Sequence, residues 1–204
     1  DTTAPKVNFT PKNSANEHSP NWASDLNVSW NVTDEGGSGL RESWFRVSSD
    51  NKGSWGAWSP SNVTSTRFNQ QGSYIIEVEA VDNAGNRSNT YSESYNIDKT
   101  NPTGSFSPNS QSWSGTDITV NFRPSDAHSG IRHWRYAIST DGGASWGAWS
   151  DYIYDGSPRD IVLTSNGNNK IKVEVTDKVW NLSVVTSGNY QIDKSTPTGS
   201  FSVN

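Results

Sequence analysis

The chain has 204 residues, with 16 Lys and Arg against 21 Asp and Glu and a formal net charge of -5. No basic cluster interrupts that acidic balance, so the electrostatic footprint of nucleic-acid binding is missing, and no apolar run reaches the roughly 18–20 residues of a membrane span. Cysteine is absent, which excludes disulfides, thiolate metal sites and cysteine nucleophiles.

Hydrophobic residues make up only 30%, yet there are 10 Trp and 17 Gly. That combination disfavours one large core and suits thin β-sandwiches filled by large rings. The opening residues carry no signal-peptide pattern, and the chain is expected to be an interior piece of a longer exported protein.

An internal repeat organises the sequence. Asp1-Thr2-Thr3-Ala4-Pro5 recurs as Asp98-Lys99-Thr100-Asn101-Pro102 and again as Asp193-Lys194-Ser195-Thr196-Pro197. Gly104-Ser105-Phe106-Ser107 returns as Gly199-Ser200-Phe201-Ser202 near the end of the sequence. The expected domains are therefore 1–97, 98–192, and a truncated third repeat over 193–204 that supplies a linker and a first strand.

In chain order, period-two alternation predicts strands near 5–9, 25–32, 43–49, 55–59, 63–69, 73–81 and 90–97 in the first repeat. In the second repeat it predicts strands near 103–107, 116–123, 132–139, 146–151, 159–164, 169–176 and 185–192. No stretch of helical length carries an apolar stripe. The fold class is all-β: two tandem seven-stranded sandwiches. The predicted core centres on Trp30, Phe45, Trp55, Ile76 and Val78, with Phe122, Tyr136, Trp146, Ile171 and Val173 as their counterparts.

The Asp1-Thr2-Thr3-Ala4-Pro5 linker and the Asp82-Asn83-Ala84-Gly85-Asn86 turn resemble those of the Ig-like repeats of bacterial surface and secreted proteins. The second repeat keeps only the outer pair of that turn, as Asp177-Lys178-Val179-Trp180-Asn181. The resemblance implies an immunoglobulin-like or fibronectin type III-like sandwich and an extracellular, secreted or cell-wall-associated setting. It also implies non-catalytic work as a spacer, stalk or adhesive segment of a larger protein. Expected partners are neighbouring domains of the same chain and cell-wall or host glycans or proteins, with the fragment itself monomeric.

Ser139-Thr140-Asp141-Gly142-Gly143-Ala144-Ser145-Trp146 fits the Ser-x-Asp-x-Gly-x-x-Trp pattern of an Asp box. Its short polar side chains bond turn amides and its Gly tolerates positive φ, so it reads as a hairpin device. The first repeat keeps Ser48, Asp50 and Trp55, with Lys52 at the Gly position. Carboxylates such as Glu77 and Glu79 fall on outward strand positions rather than around a cleft. His18, His128 and His133 lack metal-ligand spacing. No catalytic residues are assigned, and the chain is not expected to be an enzyme.

Two binding alternatives remain. If Phe45 and Val47 face inward, Trp44 faces outward; if Trp55 packs in, Trp58 points out. Trp44, Trp58 and Trp149 are thus candidate platforms for a sugar ring in a carbohydrate-binding accessory module, one attached to a glycoside hydrolase for example. The competing reading gives Arg135 stacked on Trp149 as a structural cation–π pair. No cofactor is required. The alternative is Ca²⁺ held by Asp98, Asp126 and Asp177 at the joint between repeats, with Asp1, Asp34 and Asp82 as the matching set. Against it, aspartates routinely cap turns through Asx hydrogen bonds.

Overall fold

A computed structural model describes residues 1–10, 22–60, 63–92 and 94–200. The chain divides into two compact units, Asp1–Thr100 and Asn101–Asn204. Among the described residues there are seventeen strands and no helix, hence none long and apolar enough to cross a membrane.

The first unit runs β1 (Lys6–Thr10), β2 (Trp22–Ala23), β3 (Leu26–Thr33), β4 (Leu40–Ser48), β5 (Ser59–Pro60), β6 (Ser65–Phe68), β7 (Gly72–Asp82), β8 (Arg87–Tyr91) and β9 (Tyr95–Ile97). One sheet has the order β1-β3-β6. The other has β2-β9-β7-β4-β5, with β8 also paired to β7. Alternation along β3 turns Val28 and Trp30 inward and leaves Asn27 and Asn31 exposed, as a half-buried strand requires. The core joins Phe9, Val28, Trp30 and Phe68 of the first sheet to Ile76, Val78, Tyr95 and Ile97 of the second.

The second unit repeats this plan with β10 (Thr103–Ser107), β11 (Gln111–Ser114), β12 (Ile118–Ser125), β13 (Ile131–Ser139), β14 (Arg159–Leu163), β15 (Gly167–Asp177), β16 (Leu182–Thr186) and β17 (Tyr190–Ile192). Its sheets have the orders β10-β12-β14 and β11-β17-β15-β13, with β16 beside β15. The large central ring changes strand between the units. Trp30 on β3 packs tilted against Phe45, 4.7 Å between ring centres, in the first; Phe122 on β12 packs in the same way 5.0 Å from the fully buried Trp134 on β13 in the second. Ser43 occupies the position of Trp134 in the first unit and is itself buried, so the bulky ring has moved from one sheet to the other.

Several expectations are corrected. The segment predicted as a strand over 146–151 is irregular, and that over 55–59 contributes only Ser59 to β5. Both stay beside the sheet through scattered amide bonds, Gly56 N to Val47 O at 2.9 Å in the first, Gly147 N to Ile138 O at 2.9 Å and Ser150 N to Tyr136 O at 2.8 Å in the second. Freed from strand alternation, Trp55 and Trp146 belong to neither core cluster. The last predicted strand of each repeat is split in two. Between the halves, Ser92 and Ser187 donate their amides to the carbonyls of Ile76 and Ile171 and accept those residues' amides on their hydroxyls. Finally, β2 and β11 pair in parallel with β9 and β17, and at two and four residues they are too short to show an apolar alternation. Of the expected third-repeat strand, residues 193–200 form no strand, and 201–204 lie outside the described residues.

Candidate functional site

The outer faces of the sheets carrying β4 and β13 hold most of the exposed aromatic residues and their cations. In the first unit, Trp44 stands opposite Glu79 on β7 and, with Trp58, Glu79 and Arg87, lines a shallow hollow of about 250 Å³. An Arg87–Glu79 ion pair of 2.6 Å forms part of its wall. The face of Trp58 is already engaged, because the Arg46 guanidinium lies 4.5 Å from its ring centre and 4.8 Å from that of Trp55. Arg46 is in turn held by Glu77, its cross-strand neighbour, at 2.5 Å.

Glu77 is buried, and burial opposes its charge. Hydrogen bonds from Arg46, Asn89 and Tyr91 outweigh that penalty and hold the carboxyl below the usual range.

The second unit reaches the same stack from another strand. Ala137 and Lys172 replace the Arg46–Glu77 pair at the equivalent register, and Lys172 Nζ lies 4.7 Å from Trp146 and 4.8 Å from Trp149. Arg135 adds a second cation 4.8 Å from Trp149, and itself pairs with Glu174 at 2.9 Å. In each unit a cation is shared by the two tryptophans of a Trp-Gly-Ala-Trp segment, an arrangement favoured by the ring quadrupole.

The Asp boxes are hairpin clamps. Asp50 accepts from the Ser54 amide at 2.7 Å and its hydroxyl at 2.6 Å, while Ser48 Oγ accepts from the Lys52 amide at 2.8 Å. These donors, Ser54 first, hold the Asp50 carboxyl down to about 2. Asp141, Ser139 and Ser145 repeat the pattern, and Asp141 is likewise held low, chiefly by Ser145. Lys52 adopts φ 75° where Gly143 adopts 99°.

Of the acidic sets, Asp1, Asp34 and Asp82 bring carboxylate oxygens within 4.8 Å of one another. Each also serves nearby backbone amides: Asp1 accepts from Thr3 and from Ser38 of the neighbouring loop, Asp34 from Gly36 and Gly39, and Asp82 from Asn86. Asp98 closes the first unit, whereas Asp126 and Asp177 belong to the second. Asp126 accepts from the His128 and Gly130 amides, and Asp177 from those of Val179 and Asn181. His18 lies outside the described residues.

One feature was hidden in the departure of the second Asp-Asn-Ala-Gly-Asn turn. The frame is conserved bond for bond, since Asn86 and Asn181 each donate an amide at 2.8 Å to the matching Asp Oδ1. Trp180 then takes the place of Gly85, at φ 74° against 91°. A side chain at Gly85 would meet nothing within 4 Å, and the Trp180 indole accordingly projects outward, 64% exposed. Around it stand Arg132, His133, Tyr152 and Tyr154. The replacement was visible in the sequence; the strained backbone and the gathering of four distant residues were not.

The described residues are thus all-β and without helix, in two repeated units, each with two sheets enclosing a core. It is similar to the fibronectin(III)-like modules of Clostridium thermocellum CbhA, with 12% identity over 97% of this chain and 100% of that one and a TM-score of 0.40. It is also similar to part of a 1.5-MDa bacterial ice-binding adhesin, with 13% identity over 98% of this chain and 68% of that one and a TM-score of 0.46. A two-domain fibronectin type III segment of chicken tenascin matches at 10% identity over 92% and 98% of the two chains, with a TM-score of 0.37. No protein-family model matches, and neither does any curated protein.

Proposed function

We propose that the chain is a tandem pair of immunoglobulin-like, fibronectin type III-like modules that acts as a non-catalytic spacer in a larger secreted or cell-surface bacterial protein. The observation that carries this reading is where the chain enters and leaves each unit. Asp1 is tied through its carbonyl to Asn86, at the Asp82 end of β7, whereas Ile97 pairs with Gly72 at the other end of that strand. In the second unit Pro102 accepts a hydrogen bond from Ser183, near the Asp177 end of β15, and Ile192 pairs with Gly167 at the opposite end. At about 3.4 Å per residue, these 11-residue strands separate the ends of each unit by about 35 Å.

Distance measurement between spin labels at Thr3→Cys and Ser195→Cys in the intact chain tests the spacer role. A separation clearly above the span of one unit supports it. A separation at or below about 35 Å overturns it.

A second reading, glycan contact at the hollow walled by Trp44 and Trp58, draws on its volume and aromatic walls. It predicts that Trp44→Ala abolishes binding of the intact chain to immobilised cell-wall glycan. Unchanged retention of that variant counts against it.

A further inference from the structure

We propose that the second unit carries a binding site for an acidic saccharide, built from Arg132, His133, Tyr152, Tyr154 and Trp180. It uses none of Trp44, Trp58 and Trp149 and is independent of the spacer role.

The site stands out when the two repeats are compared. Arg41 and Arg132 both occupy an irregularity in register at the start of their strands, between Leu40 and Glu42 and between Ile131 and His133. In the first unit Arg41 pairs with Glu42 at 3.0 Å. In the second unit His133 replaces that glutamate, and Arg132 has no carboxylate within ion-pair distance among the described residues. Its partner is the face of Trp180, 3.9 Å from ring centre to guanidinium carbon. Arg132 Nε and Nη1 are buried without an acceptor. The neighbouring His133, 9% exposed, has an unpartnered Nδ1. Buried hydrogen-bonding groups are seldom left unmatched unless something else supplies the partner.

The surrounding rings provide the apolar part of the site. His133 lies 4.5 Å from Tyr152, 5.6 Å from Tyr154 and 6.1 Å from Trp180, ring centre to ring centre. Tyr154 and Trp180 are 69% and 64% exposed. Trp180 holds this place at φ 74°, a conformation that disfavours any side chain and that its counterpart Gly85 meets without strain. A large, exposed, apolar side chain kept in a disfavoured backbone state, beside polar atoms lacking partners, marks a site shaped for contact.

The chemistry selects the ligand. An apolar peptide would cover the rings but bury the guanidinium and the imidazole nitrogen still further without acceptors, at the cost of their desolvation. A pyranose offers an apolar C–H face to an aromatic ring and, in the same residue, hydroxyl oxygens that accept hydrogen bonds. A uronic acid adds the carboxylate that Glu42 supplies to Arg41 in the first unit, in the bidentate geometry that arginine recognises.

The test is calorimetric titration of the intact chain with a hexamer of galacturonate and, separately, with cellohexaose. The acidic hexamer is expected to bind with at least tenfold preference. Trp180→Gly, which installs the residue found at the same place in the first unit, is expected to weaken that binding at least tenfold with the melting temperature retained. Arg132→Gln removes the preference for the acidic over the neutral sugar. Trp113→Ser, on β11 and exposed elsewhere in the same unit, leaves binding unchanged.

Absence of binding by the intact chain, equal affinity for the two hexamers, or full affinity in Trp180→Gly each overturns the proposal. So does retention of an apolar aromatic peptide in place of the sugar. Full affinity in Trp180→Gly places the ligand elsewhere and leaves the Trp44–Trp58 reading standing.

Discussion

The two units contain a natural exchange experiment. Arg46 and Glu77 in the first correspond to Ala137 and Lys172 in the second, and in both a cation ends between two tryptophans. Glu77→Lys alone removes a buried carboxylate, 1% exposed, and sets an ammonium beside Arg46; breaking a buried pair in this way costs about 3–5 kcal/mol. Arg46→Ala alone strands the buried Glu77 carboxylate with only Asn89 and Tyr91 to serve it, at about 3 kcal/mol.

Independent effects would sum to about 6–8 kcal/mol, the whole stability of many domains of this size. The double variant installs the Ala137–Lys172 pairing of the second unit and is expected to lose less than about 2 kcal/mol, a favourable coupling of at least about 4 kcal/mol. Hydrogen exchange in a urea series, followed on peptides from β7 with β15 as internal control, measures it. A double variant as unstable as the sum of the singles would refute the claim that a cation from either strand can serve the tryptophan pair.

Acid titration separates two further groups. Burial, followed by the charge of Arg132, lowers the His133 pKa below its ordinary value. Well above the ordinary imidazole value of 6.5 the ring is neutral in both states; as pH falls through that value the unfolded chain takes up the proton first, so the second unit loses stability, and His133→Gln should abolish that slope. Asp50, held down to about 2 chiefly by Ser54, contributes stability that is present above its unfolded pKa near 4 and lost as pH falls toward 2; Asp50→Asn should flatten the first unit's melting temperature over that window. Because Asp1, Asp34 and Asp82 already serve turn amides, chelator should leave the melting temperature unchanged, and a rise of several degrees on adding millimolar Ca²⁺ would show that the three carboxylates hold the ion.

Strands with a buried and a solvated face were legible because every second residue declares its side. The alternation of Asn27, Val28, Ser29 and Trp30 needs no structure to interpret. Trp55 and Trp146 escape that rule because their segments are held to the sheet by scattered amides, where an indole can turn to a cation instead of the core. The short β2 and β11 are defined by backbone pairing to a distant strand, which leaves no trace in side-chain pattern. At Trp180 the sequence showed a lost glycine. Only the backbone angle and the approach of Arg132, His133 and the two tyrosines gave that change a meaning.

Stretching the chain between its two ends by force spectroscopy tests most directly whether it consists of two self-contained units that bear load in series. Each unit of about 100 residues should release about 320 Å of contour length, from about 3.6 Å per extended residue less its folded span. Two separate rupture events of about that size are expected. One event releasing the whole length, or extension without any rupture, would contradict the account.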